Sequence, residues 1–474
     1  MTSEKLWTAE DIAAITGGNL VGSNFDVTGI SIDTRTAKPG DLFIALKGPH
    51  FDGHDFVDAA RDKKVAGILT TKDMGGNSII VDDTLRAMQD MGAGARARSN
   101  ARIFAITGSV GKTSAKEMLA RCLSLLGKTH AAEASLNNHW GVPLSLARMP
   151  VSAQYGVFEL GMNAANEISP LSRLVSPHVS LITTIAPAHV EKLGSLENIA
   201  RAKAEIFYGM DANSVAILPR DVAEFPTLLA EARTQGIGTI LTFGSSEGSD
   251  FHMTSVTPHA DTTDMAFTFK GREYKLRLGM AGAHQAMNAL AVLGAVAQVT
   301  SDITKVFPAL ENIEAVSGRG NRWSCTIKVG APPVLVIDET HNSSPVAVRA
   351  ALDVLAQIPT NGRRLVALGD MLELGDSAAT EHANLKQALL AAQVDHAFTC
   401  GRLMAHLAEA LPFGRNMHFA DSEALAAQIG ELVQPGDILL IKGSRGSKMK
   451  LVIDALQALG QSATKVPAPA TTGR

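Results

Sequence analysis

Apolar runs followed by helical patterns recur along most of this chain. Residues 103–106 are apolar and rich in β-formers, and apolar side chains recur at helical spacing after Lys112. Comparable runs predict strands over 155–163 and 179–185, and strand-rich sequence follows over 213–279. Strands that alternate with helices indicate a mostly parallel sheet with helices on both faces, so the fold class is α/β.

The pattern divides the chain into three parts. Residues 1–98 predict a small mixed α/β domain, in which Thr8 caps a short helix and strands cover 30–32 and 41–46. Residues 99–313 predict a nucleotide-binding α/β domain, and 314–474 a third α/β unit that ends in a disordered Pro/Thr/Ala-rich tail. In the second part a Gly/Ala-rich helix places His284 and Asn288 on one face, where the pair could line a site.

Composition narrows the class of protein. The 474 residues are 46% hydrophobic and 19% charged, and the net charge of −4 argues against general nucleic-acid binding. The three cysteines have no metal-ligand spacing and suggest no disulfide framework. The N-terminus has no apolar signal-peptide core, and no apolar run approaches the ~18 residues of a membrane helix. A cytoplasmic enzyme without membrane insertion is the default expectation.

A glycine turn between the strand at 103–106 and the next helix predicts a phosphate-binding loop. Its glycines let successive N–H groups face inward, and the helix start adds its positive end. Lys112 would reach the β/γ-phosphates and the Thr113 hydroxyl would ligate Mg²⁺. Ile106 occupies the position of the motif's first glycine, and the alternative is an ordinary strand–helix turn that happens to contain GKT. The predicted nucleotide contacts in the loop are Gly108, Ser109, Val110, Gly111, Lys112, Thr113 and Ser114.

Polar side chains at predicted strand ends add candidates. Ligands in open α/β sheets bind beyond the carboxyl ends of the strands, where Glu159 and His189 fall. Glu159 is a candidate Mg²⁺ ligand, and the alternative is a capping or solvated carboxylate. Periodicity does not distinguish Lys203 from a surface lysine. Asp33, Thr34 and Arg35 end a strand where a ligand could bind, but periodicity alone favours a turn cap for Asp33 and a solvated Arg35.

An ordered set of motifs resembles the Mur ligase family, which comprises ATP-dependent amide-forming enzymes of bacterial cell-wall synthesis. The set runs along nearly the whole chain and comprises TGSVGKTS, NNHWGVPLSL, FELGMN, ITTIAPAHVEKLGS, AKAEI, GAHQAMNALAV, SGRGNR and DETHNSSP. Three further segments resemble the branch whose substrates are UDP-N-acetylmuramoyl-tripeptide and D-alanyl-D-alanine, namely SIDTRTAKPGDLFIALKGPHFDGHDF, ALGDMLELGDSAATEH and IKGSRGSKM. The resemblance implies an N-terminal UDP-sugar domain, a central ATPase domain and a C-terminal Rossmann-like domain, in an enzyme that we expect to be a monomer.

The resemblance also implies residue roles. Glu159 and His189 match Mg²⁺ ligands, and Lys203 matches a lysine that the family carbamylates. Asn288 matches an adenine contact, and Arg319 matches an arginine that approaches the γ-phosphate from the third domain. Further matches are Asp338 and Asn342 in a loop that meets the nucleotide, and Asp33, Thr34 and Arg35 on the uridine side. Lys112, Lys203 and Arg319 are therefore the expected catalytic residues, with ATP and Mg²⁺ as cofactors.

Other activities remain as rivals at this point. One rival is a different ligase of the same superfamily. It could be the branch that adds a diamino acid to a UDP-sugar dipeptide, or folylpolyglutamate synthase. The N-terminal segment and the motif LGDMLELGD argue against both. Another is a P-loop NTPase that hydrolyses nucleotide without joining two substrates. Phosphate release that needs neither an amine nor a UDP-sugar would favour the latter.

Overall fold

Three β-sheets of five, nine and seven strands organise the chain, beside a two-stranded ribbon near the N-terminus. The computed structural model describes residues 4–187, 190–459 and 464–465. Each of the three sheets belongs to one of the three expected α/β units. None of the helices in these described ranges has both the length and the apolarity needed to cross a bilayer.

The first unit carries the five-stranded sheet, in the order β2-β7-β6-β5-β4. The β2–β7 pair is antiparallel and the others are parallel, so the sheet is mixed, and with its helices the unit is the α/β domain that was predicted. Thr8 caps the first helix in a capping box with Asp11, as expected from the sequence. Its elements are β1 (Trp7–Thr8), α1 (Ala9–Thr16), β2 (Asn19–Val21), β3 (Asp26–Val27), β4 (Gly29–Ser31), β5 (Asp41–Ile44), α2 (Val57–Asp62), β6 (Gly67–Thr70), β7 (Ser78–Ile80) and α3 (Thr84–Ala97).

The second unit carries the nine-stranded sheet, in the order β16-β15-β14-β13-β12-β11-β8-β10-β9. Strands β8 to β14 are all parallel to one another. Strands β15 and β16 then follow β14 in antiparallel pairing and extend the sheet as an antiparallel arm. Its elements are β8 (Arg102–Thr107), α4 (Lys112–Ser124), β9 (Thr129–Ala131), α5 (Gly141–Ala147), β10 (Tyr155–Glu159), α6 (Ile168–Val175), β11 (Val179–Ile182), α7 (Val190–Leu193), α8 (Leu196–Ala204), β12 (Val215–Pro219), α9 (Phe225–Thr234), β13 (Thr239–Gly244), β14 (Phe251–Pro258), β15 (Thr263–Phe269), β16 (Arg272–Leu278), α10 (Ala283–Val296) and α11 (Phe307–Glu311).

The third unit carries the seven-stranded sheet, in the order β21-β20-β19-β22-β18-β17-β23. Its first five strands are parallel and the last two pairings are antiparallel. Its elements are β17 (Asn321–Cys325), β18 (Val334–Glu339), α12 (Pro345–Ala356), β19 (Arg364–Gly369), α13 (Ala378–Ala391), β20 (His396–Cys400), α14 (Ala405–Ala410), β21 (Asn416–Phe419), α15 (Ser422–Leu432), β22 (Ile438–Lys442), α16 (Lys450–Leu459) and β23 (Thr464–Lys465).

The first two units share a hydrophobic core. Buried side chains of α1, α3 and the five-stranded sheet pack with Leu144 and Ala147 of α5. The Trp7 indole also donates a hydrogen bond of 2.8 Å to the Ala147 carbonyl. Burying apolar surface between two elements stabilises their relative position, so the first unit is packed against the face of the second that carries α5.

Several predicted ends differ from the structure, and the strands predicted over 41–46 and 155–163 end at Ile44 and Glu159. The strand predicted over 179–185 ends at Ile182, because the next residue, Thr183, turns over the glycine loop and bonds to it. Lys465, the first residue of the predicted disordered tail, pairs with Trp323 in β23, and 466–474 lie outside the described residues.

Candidate active site

The glycine loop between β8 and α4 has the tight curvature that the sequence predicted. Gly108 has φ +146° and Gly111 has φ +86°, both in the region that favours glycine. A Cβ at Gly108 would collide with the Thr183 hydroxyl, and one at Gly111 would lie 2.6 Å from the Asn288 amide oxygen. The Thr183 hydroxyl donates a 2.6 Å hydrogen bond to the Val110 carbonyl, which ties β11 to the loop. Close approach of these neighbours therefore requires glycine at both positions.

Lys112 opens α4 and folds back over the loop. Its ammonium donates to the carbonyls of Gly108, at 2.7 Å, and Ser109, at 3.3 Å. Burial lowers the pKa of Lys112, while the charge of Glu159 opposes the shift. A cation in this position, above a curl of backbone amides, is the arrangement that binds nucleotide phosphates.

Thr113 and Glu159 form the adjacent polar group. The Thr113 hydroxyl donates a 2.7 Å hydrogen bond to one Glu159 oxygen, and the Asn137 amide donates one of 2.7 Å to the other. Glu159 is the last residue of β10 and is 1% exposed. Both lie beyond the carboxyl ends of neighbouring parallel strands, where the sheet topology predicts a ligand.

The loop over 132–138 supplies Asn137 and also Ser135. Lys116, one turn into α4 and 0% exposed, donates from its ammonium to the carbonyls of Ala132 at 2.5 Å and Ala134 at 2.7 Å. A buried ammonium needs such oxygen partners. Both carbonyls belong to residues that come shortly before Ser135 in the chain. The lysine thereby fixes the loop against the same helix that begins with Lys112.

Arg319 reaches this group from the third unit. Its guanidinium Nη2 donates to the Ser135 hydroxyl at 3.2 Å and lies 3.1 Å and 3.2 Å from the two ring nitrogens of His341. The Ser135 hydroxyl also lies 3.4 Å from the Thr113 hydroxyl. The structure therefore brings Arg319 of the third unit against Ser135 in the loop over 132–138 of the second unit.

Asp338 supports the turn that carries Arg319. One of its carboxylate oxygens accepts from the Gly318 N–H at 3.1 Å, and the other accepts from the Thr340 N–H at 3.1 Å and hydroxyl at 2.7 Å. Asp338 is buried and does not line the cavity described next. The Asp338 oxygens thus accept hydrogen bonds within the turn. Asn342, which was predicted as a nucleotide contact together with Asp338, lines the cavity.

A cavity of about 530 Å³ lies between the second and third units. Its walls bring together residues 109–114 and Glu159 of the second unit with Arg319 and Asn342 of the third. His284 and Asn288 line it as well, which confirms the expected position of that helical pair. At this volume the cavity is within the range of small-molecule and cofactor sites.

Lys203 lies on α8 and is 1% exposed, which contradicts the surface-lysine interpretation. Its pKa is lowered well below the ordinary value, chiefly by burial and then by the positive charge of Lys112. Lys203 does not line the cavity itself, but it is close enough for the charges of Glu159 and Lys112 to affect its pKa.

The residues predicted on the uridine side are not brought to the cavity. Asp33 accepts from the Arg35 backbone N–H at 2.9 Å and pairs with its guanidinium at 2.6 Å, and the Arg35 side chain is 88% exposed. Asp33, Thr34 and Arg35 do not line the cavity, so a UDP-sugar role for them stays a prediction. His189 lies outside the described residues. Within the described ranges no cluster of three His, Cys, Asp or Glu side chains could hold a metal ion by protein ligands alone.

Sequence reasoning missed several polar residues of the cavity. Ser135 and His341, which line the cavity, were visible only as parts of polar loops. Lys116, which holds the loop over 132–138 without lining the cavity, was visible only as one more helix lysine. Lys442, at the end of β22, donates to Glu339 at 3.1 Å and to the Asn342 carbonyl at 2.9 Å. The polar segment after β22 was the available signal, because strand ends in this topology face ligands.

An enzyme that holds nucleotide phosphates between two α/β domains is the class of protein that this arrangement defines. The chain matches the family models described as Mur ligase family, catalytic domain, over residues 26–108, Mur ligase middle domain over 106–296, and Mur ligase, glutamate ligase domain, over 322–445. The chain belongs to the Mur ligase family.

Named relatives match over almost the full length. The UDP-N-acetylmuramoyl-tripeptide--D-alanyl-D-alanine ligase of Escherichia coli (strain K12) is 34% identical, over 96% of this chain and 99% of the relative. The enzyme of the same name from Bacillus subtilis (strain 168) is 32% identical over 95% and 98%. A crystal structure of MurF from Acinetobacter baumannii superposes with a TM-score of 0.82 at 30% identity, covering 96% of this chain and 100% of that one.

Proposed function

We propose that this chain is the ATP-dependent ligase that joins D-alanyl-D-alanine to UDP-N-acetylmuramoyl-tripeptide in bacterial peptidoglycan precursor synthesis. The observation that carries the proposal is the convergence of the glycine loop and Arg319, from different domains, on one cavity. The relatives that match nearly end to end bear this activity in their names. The three-domain division that we propose, 1–98, 99–313 and 314–474, falls between α3 and β8 and between α11 and β17.

The chemistry is activation of a carboxylate. A carboxylate resists attack by an amine because its oxygen is a poor leaving group. Transfer of the γ-phosphoryl group of ATP to the tripeptide carboxylate forms an acyl phosphate and ADP. The D-alanyl-D-alanine amine then attacks the acyl carbon, the new C–N bond forms, the amine loses its proton, and inorganic phosphate leaves.

Lys112 and Arg319 are the proposed charge-stabilising residues. Both are cations at the cavity wall, and charge on the transferred phosphoryl group develops where such preorganised cations are most effective. Asn288 lines the same cavity next to Gly111, which fits a contact with the nucleotide. Asn342 is a proposed contact from the third domain, and Asp338 contributes through the turn that it supports.

Mg²⁺ is the proposed metal, held by Thr113, Glu159 and His189. The hydroxyl and the buried carboxylate are hard oxygen donors that already contact each other, and Mg²⁺ takes few protein ligands beside waters and phosphate oxygens. When bound, the ion would neutralise phosphate charge. We expect Glu159→Gln to raise the Mg²⁺ concentration needed for half-maximal rate, whereas an unchanged Mg²⁺ dependence would remove Glu159 from the site.

The remaining assignments rest on the family. Lys203 is proposed to carry a carbamate, and Asp33, Thr34 and Arg35 to contact the uridine side of the UDP-sugar. A cytoplasmic location is proposed because ATP and UDP-linked precursors are the expected substrates. We also propose that the enzyme acts as a monomer, as expected from the family resemblance.

Mass spectrometry of the product tests the function. The purified chain is incubated with ATP, Mg²⁺, UDP-N-acetylmuramoyl-tripeptide and D-alanyl-D-alanine, and we expect a UDP-N-acetylmuramoyl-pentapeptide together with equimolar ADP and phosphate. Omission of D-alanyl-D-alanine is the control and should abolish steady phosphate release. Phosphate release that continues at the same rate without the dipeptide would overturn the ligase assignment.

A further inference from the structure

The Ser135 hydroxyl occupies the junction between the second and third domains. It lies 3.4 Å from the Thr113 hydroxyl of α4, 3.2 Å from the Arg319 guanidinium and 3.3 Å from His341 Nε2. Thr113 in turn donates to buried Glu159. A single hydroxyl thus joins the proposed metal-ligating pair to the arginine that comes from the other domain.

The position of this hydroxyl is fixed from its own domain. The fully buried Lys116 ammonium holds the carbonyls of Ala132 and Ala134, the residue directly before Ser135. Asn137, two residues further on, is tied to Glu159 at 2.7 Å. Because the loop is fastened on both sides of Ser135, its hydroxyl is a preorganised acceptor and does not have to be ordered when the domains meet.

The third domain presents Arg319 in a fixed orientation. Its Nη2 is nearly equidistant from both ring nitrogens of His341, at 3.1 Å and 3.2 Å. Those nitrogens flank one ring carbon, so an atom this near to both lies over the face of the ring. The same Nη2 donates to the Ser135 hydroxyl, which itself lies 3.3 Å from His341 Nε2. Burial and the adjacent Arg319 charge lower the pKa of His341 to about 4, which keeps the ring neutral beneath the guanidinium.

We infer that Ser135 is a positioning residue for phosphoryl transfer, because its hydroxyl receives the Arg319–His341 pair of the third domain and aligns Arg319 with the phosphate-binding loop. This inference rests on the proposed function. Ser135 acts through Arg319 and is not itself a catalytic residue. Its contribution is made while the third domain lies against the loop at 132–138, as it does in this structure.

The variant Ser135→Ala tests the role by its kinetic pattern. We expect kcat to fall about tenfold, the range for one hydrogen bond to a charged group, while the KM for ATP stays within about twofold. Ser135→Thr keeps the hydroxyl and should recover most of the rate. Ser124→Ala is the matched control, since that exposed hydroxyl bonds only to the Ala120 carbonyl of its own helix. A general loss of structure would raise KM and lower the melting temperature, and Ser135→Thr would not be expected to reverse it.

A double-mutant cycle with Arg319→Ala decides whether Ser135 acts through that arginine. We expect Arg319→Ala alone to lower kcat about a hundredfold, and Ser135→Ala to change the rate of the Arg319→Ala enzyme less than about twofold. A tenfold loss in both backgrounds would overturn the inference, as would a wild-type rate in Ser135→Ala. The assay scores pentapeptide product by mass, so a wild-type chain that made none would contradict the proposed function instead.

Discussion

Lys112 is the residue on which the phosphate-binding interpretation depends most directly. Its ammonium is held over the loop by the carbonyls of Gly108 and Ser109. We expect Lys112→Ala to lower kcat by about 10²–10³-fold, because loss of one preorganised donor to a developing charge costs about 3–4 kcal/mol. The measurement is the rate of pentapeptide formation at saturating substrates.

Stability measurements separate this effect from unfolding. Lys112 is only half-buried, and its removal leaves no cavity in the hydrophobic cores, so the melting temperature should change little. Lys128→Ala, a lysine on a surface loop after the same helix, should retain full activity. Turnover of Lys112→Ala within about tenfold of wild type would refute the phosphate-loop assignment.

Lys203 differs from an ordinary lysine in its surroundings. Carbamylation requires the neutral amine, and both burial and the charge of Lys112 lower the pKa of Lys203. The amine would attack carbon dioxide, form an N–C bond and release one proton, which leaves an anion in place of a cation. We therefore expect Lys203→Ala to be nearly inactive, and short carboxylic acids such as acetate to restore part of its rate by filling the vacated space.

Bicarbonate provides the control for that rescue. It should not restore Lys203→Ala, because no amine remains to be modified, and isotope-labelled bicarbonate should label wild type at Lys203. A fully active Lys203→Ala enzyme would exclude the role, and so would an experimental map with an unmodified lysine in the ATP-bound state.

At the scale of one element, Glu205 fixes the start of α6. Its carboxylate accepts from the backbone N–H groups of Asn166 at 2.5 Å, Ile168 at 3.1 Å and Ser169 at 3.0 Å, and the residue is buried. Removal would leave these N–H groups unpaired at a helix start. We expect Glu205→Ala to lower the free energy of unfolding by about 2–3 kcal/mol, measured by urea denaturation.

Glu197→Ala is the matched control on the same stretch of chain. That carboxylate is exposed and bonds only to Arg201 and Thr227, so its loss should cost below about 1 kcal/mol. Equal losses for the two variants would show that Glu205 is no more than another surface carboxylate.

Elements with strong local signals were predicted to within a residue or two. The strand at 102–107 and the capped helix α1 follow from an apolar run, glycines and the Thr8 cap, whereas the strand predicted over 155–163 ends at Glu159. The strand Phe251–Pro258 was not singled out. Its outer half is exposed and mostly polar, and it pairs only within the antiparallel arm, so no apolar pattern marks it. The burial of Lys203 could not be read from periodicity either, since it is produced by packing between distant segments.

Residue contacts across the cavity were even less accessible to sequence reasoning. Only the family resemblance pointed to Arg319. Its two partners, Ser135 and His341, also contact each other, and they are 206 positions apart in the sequence. A contact of that sequence separation leaves no local pattern, because it depends on how two complete domains are arranged.

At the scale of the whole molecule, two half-buried histidines make stability depend on pH. Burial lowers the pKa of His130 and of His178 to about 4. The unfolded chain takes up these protons near pH 6.5 and the folded chain only near pH 4, so the unfolded state binds more protons between the two values. Their stabilising contribution is complete above about pH 6.5 and is lost as the pH falls toward 4.

We expect each histidine to contribute on the order of 1 kcal/mol to the difference in unfolding free energy between pH 7 and pH 5. His130→Gln can preserve the donation to the Ser145 carbonyl, and His178→Asn can preserve acceptance from the Ile103 N–H, while neither titrates. Both variants should flatten the pH dependence, measured by denaturant unfolding. Exposed His50→Gln is the control, and the same pH dependence in all three would refute the assignment.

The antiparallel arm of the nine-stranded sheet has a consequence for motion. Between β14 and β15, Asp261 meets Arg322 of the third domain at 2.5 Å, and Arg322 is only three residues along the chain from Arg319. A rotation of the third domain about this ion pair would move Arg319 only a little, because Arg319 is close to the axis. The same rotation would move β21 much further, because β21 is at the far edge of the seven-stranded sheet. A distance probe on β21, read against one on the first domain, would therefore report interdomain rotation that a probe beside the cavity would scarcely register.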